Sequence, residues 1–247
     1  MKRVLPPHLP LTGYYADESA RHRWLRRAFY ETASDYDRIE RITAFGTGPA
    51  YRRRALARAG LAPGMDVIDV GMGTGLTAIA AVSLTGDARR VTGVDPSAGM
   101  LANAKVPEEL PVIAGRAEAL PLADGSADFI SMGFALRHVS DVNVVFAEFR
   151  RVLRSGGRVC LLEIARPQSR AGAWMLKQYM RRIVPTIARV FGGTAGVTDL
   201  WRYFWDSIEA CLPPAQVLAA LCDAGFVDVH RDVELGIFNA YVGRRSD

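Results

Sequence analysis

An apolar run from Val67 to Val70 carries an acid at Asp69, then breaks into glycines at 71, 73 and 75 before a helical stretch opens at Leu76. Glycine at alternate positions directly after a strand lets a ligand approach the backbone without meeting a Cβ. The dinucleotide fingerprint GxGxxG would place its last glycine at position 76, where Leu76 stands, so the spacing here is GxGxG. A second acid, Asp95, ends the next apolar run. An ionised carboxylate only accepts hydrogen bonds, and at the carboxyl end of a parallel strand it can take two from vicinal ribose hydroxyls. The competing reading makes Asp95, or Ser97 beside it, the N-cap of a helix starting at Ala98.

Those residues need a scaffold that delivers strand ends to one place. After residue 60 the pattern alternates: strands over 65–70, 90–94, 111–114, 129–132 and 158–163, with helices over 76–85, 98–104 and 142–153. Such alternation predicts a parallel sheet covered on both faces, an α/β doubly wound architecture. The chain ends differently, with a helix over 213–224 and two strands, 226–233 and 237–243, joined at Leu235-Gly236. So close a pair is a hairpin, and one strand of a seven-stranded sheet must run antiparallel to the rest. Residues 1–60 are expected to form an arm and a helical cap of two helices, broken around 45–49. Residues 61–247 would form the cofactor domain, with a helical lid inserted at about 166–212.

The chain of 247 residues is 49% hydrophobic, enough for one such domain with a large core. Its three cysteines are too few and scattered for a disulfide framework or zinc site, which suits a reducing compartment. Pro6, Pro7 and Pro10 interrupt any secretory core, and no run is long and apolar enough to span a bilayer, so the expected location is cytoplasmic or peripheral to a membrane. The formal net charge of +5 is unevenly spread. No acid occurs between Glu163 and Asp199, whereas Arg166, Arg170, Lys177, Arg181, Arg182 and Arg189 are basic. Leu176, Tyr179, Met180, Ile183, Val184, Ile187 and Phe191 recur at helical spacing, opposite Lys177, Gln178, Arg181, Arg182 and Arg189, with a kink or break expected at Pro185. This segment reads either as a lid packed on the domain or as a face resting on anionic lipid. No nucleic-acid recognition motif accompanies the arginines, so no nucleic-acid partner is expected.

The GxGxG turn preceded by Asp69 resembles the first motif of class I methyltransferases, and Arg116 to Pro121 followed by Asp128 to Met132 resembles their adenine-flanking segment. From about Phe29 to Ile208 the chain resembles the ubiquinone/menaquinone biosynthesis C-methyltransferase family. Four further segments carry that likeness: Tyr36-Asp37 with Ala44-Phe45-Gly46; Phe134 to Asp141; Arg151 to Arg158 leading to Glu163; and Arg202-Tyr203 with Ser207-Ile208. The resemblance implies a Rossmann-like class I methyltransferase fold using S-adenosyl-L-methionine, with S-adenosyl-L-homocysteine as product and no metal. It assigns the cofactor to Asp69, Gly71, Gly73, Thr74, Gly75, Asp95, Pro96, Met100, Arg116, Ala117 and Gly133, and the substrate to Tyr36, Asp37, Phe45 and Tyr203. The chain departs from the family's pattern at Glu40 (asparagine), Ala44 (serine), Gly48 (histidine), Tyr51 (tryptophan) and His138 (asparagine after Arg137).

Methyl transfer from a sulfonium is an in-line displacement that mainly demands positioning and exclusion of water. A ring carbon becomes nucleophilic when its neighbouring hydroxyl loses a proton, which suits His138 as base and Arg137 as the cation facing phenolate. His138 equally fits a packing or helix-capping role. The histidines at 8, 22 and 230 receive no role. The expected acceptor is a small aromatic or lipophilic, quinone-like molecule; O- or N-methylation of a small molecule or phospholipid headgroup is the alternative within enzymes. A catalytically silent cofactor-binding module is the alternative outside them. A peripheral membrane contact through helix 176–191 and a homodimer are the partner expectations.

Overall fold

The computed structural model describes residues 4–43, 46–190 and 195–247. Two helices, α1 (Glu18–Thr43) and α2 (Gly48–Arg58), precede the sheet. Strands β1 (Val67–Val70), β2 (Val91–Asp95), β3 (Val112–Ala114), β4 (Ala127–Gly133) and β5 (Leu153–Ile164) follow, separated by α3 (Leu76–Thr85), α4 (Ala98–Ala102) and α5 (Val142–Val152). Beyond β5 come α6 (Arg170–Gln178), a π-helical turn over Tyr179–Ile183, α7 (Val184–Val190), α8 (Ala195–Ala210) and α9 (Pro214–Asp223). The hairpin β6 (Phe226–Glu234) and β7 (Phe238–Arg245) completes the chain.

The seven strands run in the order β3-β2-β1-β4-β5-β7-β6. The first five are parallel; β7 is antiparallel to both β5 and β6, as the close terminal pair requires. Chain order reverses between β1 and β4, so the carboxyl ends of these strands border the crevice where ligands of open α/β sheets sit. β1 is buried at every position, and its alternating side chains serve both faces. Ile68 and Val70 join Ile130, Met132, Phe146 and Phe149 under α5 and α9. Val67 joins Phe129, Leu56 and Ala81 under α2 and α3. A third apolar cluster, with Leu25, Met180, Val184, Tyr203 and Trp205, binds α1 to α7 and α8 above the strand ends. Packing therefore joins α2 to the sheet and α1 to the inserted helices.

The amino-terminal arm lies along the molecule: Leu5 O accepts from Val142 N (2.9 Å), and Pro7 O accepts from Leu212 N (2.8 Å). The inserted segment departs from its expected phase. Met180, Val184 and Ala188 are buried, whereas Ile183 is exposed, contrary to the single apolar face read from sequence spacing. The physical reason is the wider π turn just before Pro185, which absorbs the proline's missing N–H without a break and advances the helix by a fraction of a turn. Phe191, assigned to the same face, lies outside the described residues. Among the described residues no helix is long and apolar enough to cross a membrane.

Candidate active site

The turn after β1 works because three glycines take a left-handed backbone, with φ of +68° at Gly71, +57° at Gly73 and +98° at Gly75. Gly71 and Met72 donate to Val94 O (2.8 and 3.1 Å), tying the turn to the end of β2. A Cβ on Gly71 would stand 2.7 Å from the Ala135 methyl, so the turn and the loop after β4 can close on each other only with glycine there. Asp95 completes the clamp: its Oδ2 accepts from Gly73 N and its Oδ1 from Ser97 N, both at 2.8 Å. Ser97 supplies the side-chain cap of α4 by accepting from Met100 N (3.3 Å). The capping task thus falls to Ser97, and Asp95 keeps a carboxylate at the strand end. Burial raises the Asp95 pKa, against the Ser97 and Gly73 N–H bonds that lower it. From above, α1 reaches the same turn: Thr74 Oγ1 donates to Asp37, whose other oxygen lies 3.3 Å from Lys105 Nζ.

These elements enclose a cleft of about 390 Å³ over the carboxyl ends of the strands. The sheet order lays out its length. Ala114, Arg116, Ala117 and Met100 line the β3–β2 side, Asp95, Pro96 and Gly73 the middle, and Gly71, Gly133 and Thr77 the β1–β4 side. His22, Leu25 and Phe29 of α1 form a roof with Phe204 of α8. Arg21 fastens that roof by donating to the carbonyls of Arg137 (3.2 Å) and Val139 (2.8 Å). At the far end Phe134 adopts φ +60°, a left-handed conformation unusual for a bulky residue, and turns its ring toward the cleft beneath Arg52.

The candidate substrate and catalytic residues separate into distinct places. His138 lines the cleft, edge-on to Phe29 (5.2 Å) and stacked on Tyr203 (5.7 Å), with Nδ1 3.4 Å from the Tyr203 hydroxyl. Burial, then the charges of Arg137 and Arg21, hold its pKa well below 6.5. Arg137 does not line the cleft; its Nη1 donates to Glu163 Oε2 (2.7 Å) in a fully buried pair that also receives Leu136 N (2.8 Å). Tyr203 is wholly buried behind His138 among Trp24 and Tyr14, and burial raises its pKa. Asp37 sits over the glycine turn. The side chain of Tyr36 and all of Phe45 lie outside the described residues.

Several lining residues escaped the sequence reading. His22, left without a role, is in the roof, its Nε2 2.9 Å from Ser140 Oγ and 3.2 Å from Arg116 Nη2. The spacing 22, 25, 29 already marks one helical face. Arg52 offers no such signal, since it opens the run Arg52 to Arg54 and reads as one of several solvated arginines.

Residues 17–245 match the ubiE/COQ5 methyltransferase family. The chain belongs to that family. It is an S-adenosylmethionine-dependent methyltransferase with the expected seven-stranded class I fold. A ubiquinone/menaquinone biosynthesis C-methyltransferase UbiE from Rubrivivax gelatinosus is 34% identical over 95% of this chain and 92% of its own. A demethylmenaquinone methyltransferase from Roseiflexus castenholzii is 34% identical over 97% of each chain. Among solved structures, a methyltransferase from Thermotoga maritima shares the fold with a TM-score of 0.64 at 21% identity, over 90% of this chain and 100% of that one. The residues of this ubiE/COQ5 family member fit the cofactor. A left-handed glycine turn, with no room for a Cβ at Gly71, meets a strand-end carboxylate, and the buried oxygen Asp69 Oδ2 has no hydrogen-bond partner among the described residues beneath the turn.

Asp69 is fully buried, accepting from Ser131 Oγ (2.7 Å) on Oδ1, and burial lifts its pKa from 3.8 to about 7. The folded state therefore holds one more proton than the unfolded chain between those values. Its contribution to stability falls as pH rises from about 4 to about 7 and is level above, by up to about 4 kcal/mol. Asp69→Asn is expected to exceed the wild type in denaturation midpoint at about pH 8 and to match it near pH 4.5. Parallel pH profiles for the two proteins would contradict this.

Proposed function

We propose that this enzyme transfers a methyl group to a ring carbon of a reduced quinone or related phenol, with His138 taking the proton of the hydroxyl beside that carbon. The observation that carries the reading is the imidazole of His138 in the cleft wall, framed by the aromatic rings of Phe29 and Phe204. The quinone-directed names of the two relatives support it. When bound, S-adenosylmethionine supplies an electrophilic methyl group on a sulfonium. Asp95 would accept from its ribose hydroxyls, Arg116 and Ala117 would flank its adenine, and the backbone from Gly71 to Gly75 would pass beneath its amino-acid end.

His138 points Nδ1 at Tyr203, which leaves Nε2 for the acceptor's hydroxyl. Its depressed pKa makes it a weak base, and the chemistry tolerates that. As the ring gains the methyl it also gains positive charge, so the hydroxyl proton becomes acidic and passes to His138; the methylated carbon then loses its own hydrogen as a proton, the oxygen regains one, and the ring becomes aromatic again with one proton released overall. Arg137 acts indirectly: locked to Glu163, it fixes the 136–138 turn, and its charge adds to burial in lowering the His138 pKa. The roof from α1 excludes water from the methyl in transit.

The inserted helices fit a lipophilic acceptor. Trp174 and Met175, each 63% exposed, line one open groove with Ile183, Val233 and Leu235. Lys177 and Arg181 are tied to Glu209 and Asp206. Arg166 lines this groove, and Arg170 and Arg182 belong to the same inserted segment, which carries no acid from 164 to 198. The groove's rim would rest on anionic lipid, which relocates the membrane contact from the whole stretch 176–191 to Trp174, Met175, Ile183 and the hairpin tip.

Incubation with reduced demethylmenaquinone and S-adenosylmethionine is expected to add the mass of one methyl group on carbon, and His138→Ala is expected to lower kcat by roughly 10²-fold. Full turnover by His138→Ala would remove the base role, and methylation of amines but not of quinols would move the enzyme to the alternative acceptor class. In liposome flotation the wild type should rise with anionic vesicles, and a Trp174→Ser/Met175→Ser variant should not. Equal flotation of the two would leave these helices as a lid alone.

A further inference from the structure

Arg52, at the amino-terminal part of α2, is 4% exposed yet lines the cleft. Its guanidinium lies 5.0 Å over the ring of Phe134, the residue held in a left-handed conformation just after β4. Nη1 donates to Glu40 Oε1 (2.9 Å), while Nε is buried with no hydrogen-bond partner. A buried guanidinium N–H without an acceptor is costly to leave unmade, and a planar fork of donors matches a carboxylate.

The sheet order says which part of the cofactor reaches it. Adenine lies on the β3 side and ribose over β2 in the reading above, so the amino-acid end extends toward β1 and β4, where Phe134 and Arg52 stand. The other lining arginines are placed elsewhere: Arg116 is on the β3 side with Glu118, and Arg26 is exposed on α1.

We propose that Arg52 is the anchor for the α-carboxylate of the cofactor's amino-acid end. The inference rests on the cofactor reading of the same cleft and adds a residue to it. It also gives physical meaning to two departures from the family pattern. Glu40 orients Arg52, and Gly48 makes that pair sterically feasible, because a Cβ there would stand 2.6 Å from Glu40 Oε1 and 2.7 Å from Arg52 Nη1. Positions 40 and 48 thus form one unit with Arg52 at the cleft's end.

The test compares binding of S-adenosylhomocysteine with that of S-adenosyl-3-thiopropylamine, the same molecule without its carboxylate, by calorimetry. The wild type is expected to prefer the carboxylate by roughly 10- to 100-fold. Arg52→Met should reduce that preference to within a few-fold while leaving affinity for the decarboxylated ligand unchanged. Removing Arg52 alone takes one buried partner from Glu40, so Arg52→Met/Glu40→Leu is measured beside it and is scored if the single variant does not fold. A preference retained in the folded variant, or an equal loss for both ligands, would overturn the assignment. Failure of the wild type to bind either ligand would instead overturn the cofactor reading beneath it.

Discussion

The carboxylate of Asp95 holds two backbone N–H groups from different loops, Gly73 in the turn after β1 and Ser97 at the start of α4. Each loop alone would be a flexible connection. Joined through one buried acid, they become a rigid floor at the point where the sheet reverses its order. Because the acid is short, the floor forms only where β1 and β2 end level, which their register from Val67 against Val91 to Val70 against Val94 ensures. The left-handed glycines then follow from the path the turn must take between those ends. Burying a charge there is unfavourable in isolation and is offset by the two N–H bonds, which leaves a preorganised acceptor at the centre of the cleft.

The rest of the molecule closes over that floor from two sides. Arg21 ties α1 to the carbonyls at 137 and 139, and the buried pair of Arg137 with Glu163 ties the same loop to β5. His138 is consequently held from both sides of its own short turn. Burial first and the two fixed cations second hold its pKa well below the ordinary value, so the site combines a proton acceptor with a wall of aromatic edges. Tyr203 serves this arrangement from behind, as a ring on which His138 stacks.

Much of this was legible in the residues. Strand and helix alternation marked the sheet, GxGxG separated the turn from dinucleotide binders, and Asp95 and Arg116 line the cleft while Asp69 is buried beneath the turn. The signals were local in each case: a period, a glycine spacing, an acid at a strand end. What sequence could not show was long-range. Arg137 looked like a catalytic cation because Glu163, its partner, is far along the chain. Ile183 looked buried because a π turn alters phase without a distinctive residue other than the proline after it. Arg52 looked solvated among arginines until Glu40, Phe134 and the turn converged on it. Ser97 and Asp95 were equal candidates for one cap, and only the geometry of Met100 N separated their tasks.

The central claim is that the Asp95 clamp builds the cofactor site. Calorimetric titration of S-adenosylhomocysteine into wild type and Asp95→Ala tests it directly. The account predicts binding by the wild type and a loss of roughly 10²-fold or more in the variant, since a buried acceptor for two hydroxyls and two N–H groups is removed. Equal affinity of the two proteins, with both folded, would contradict it.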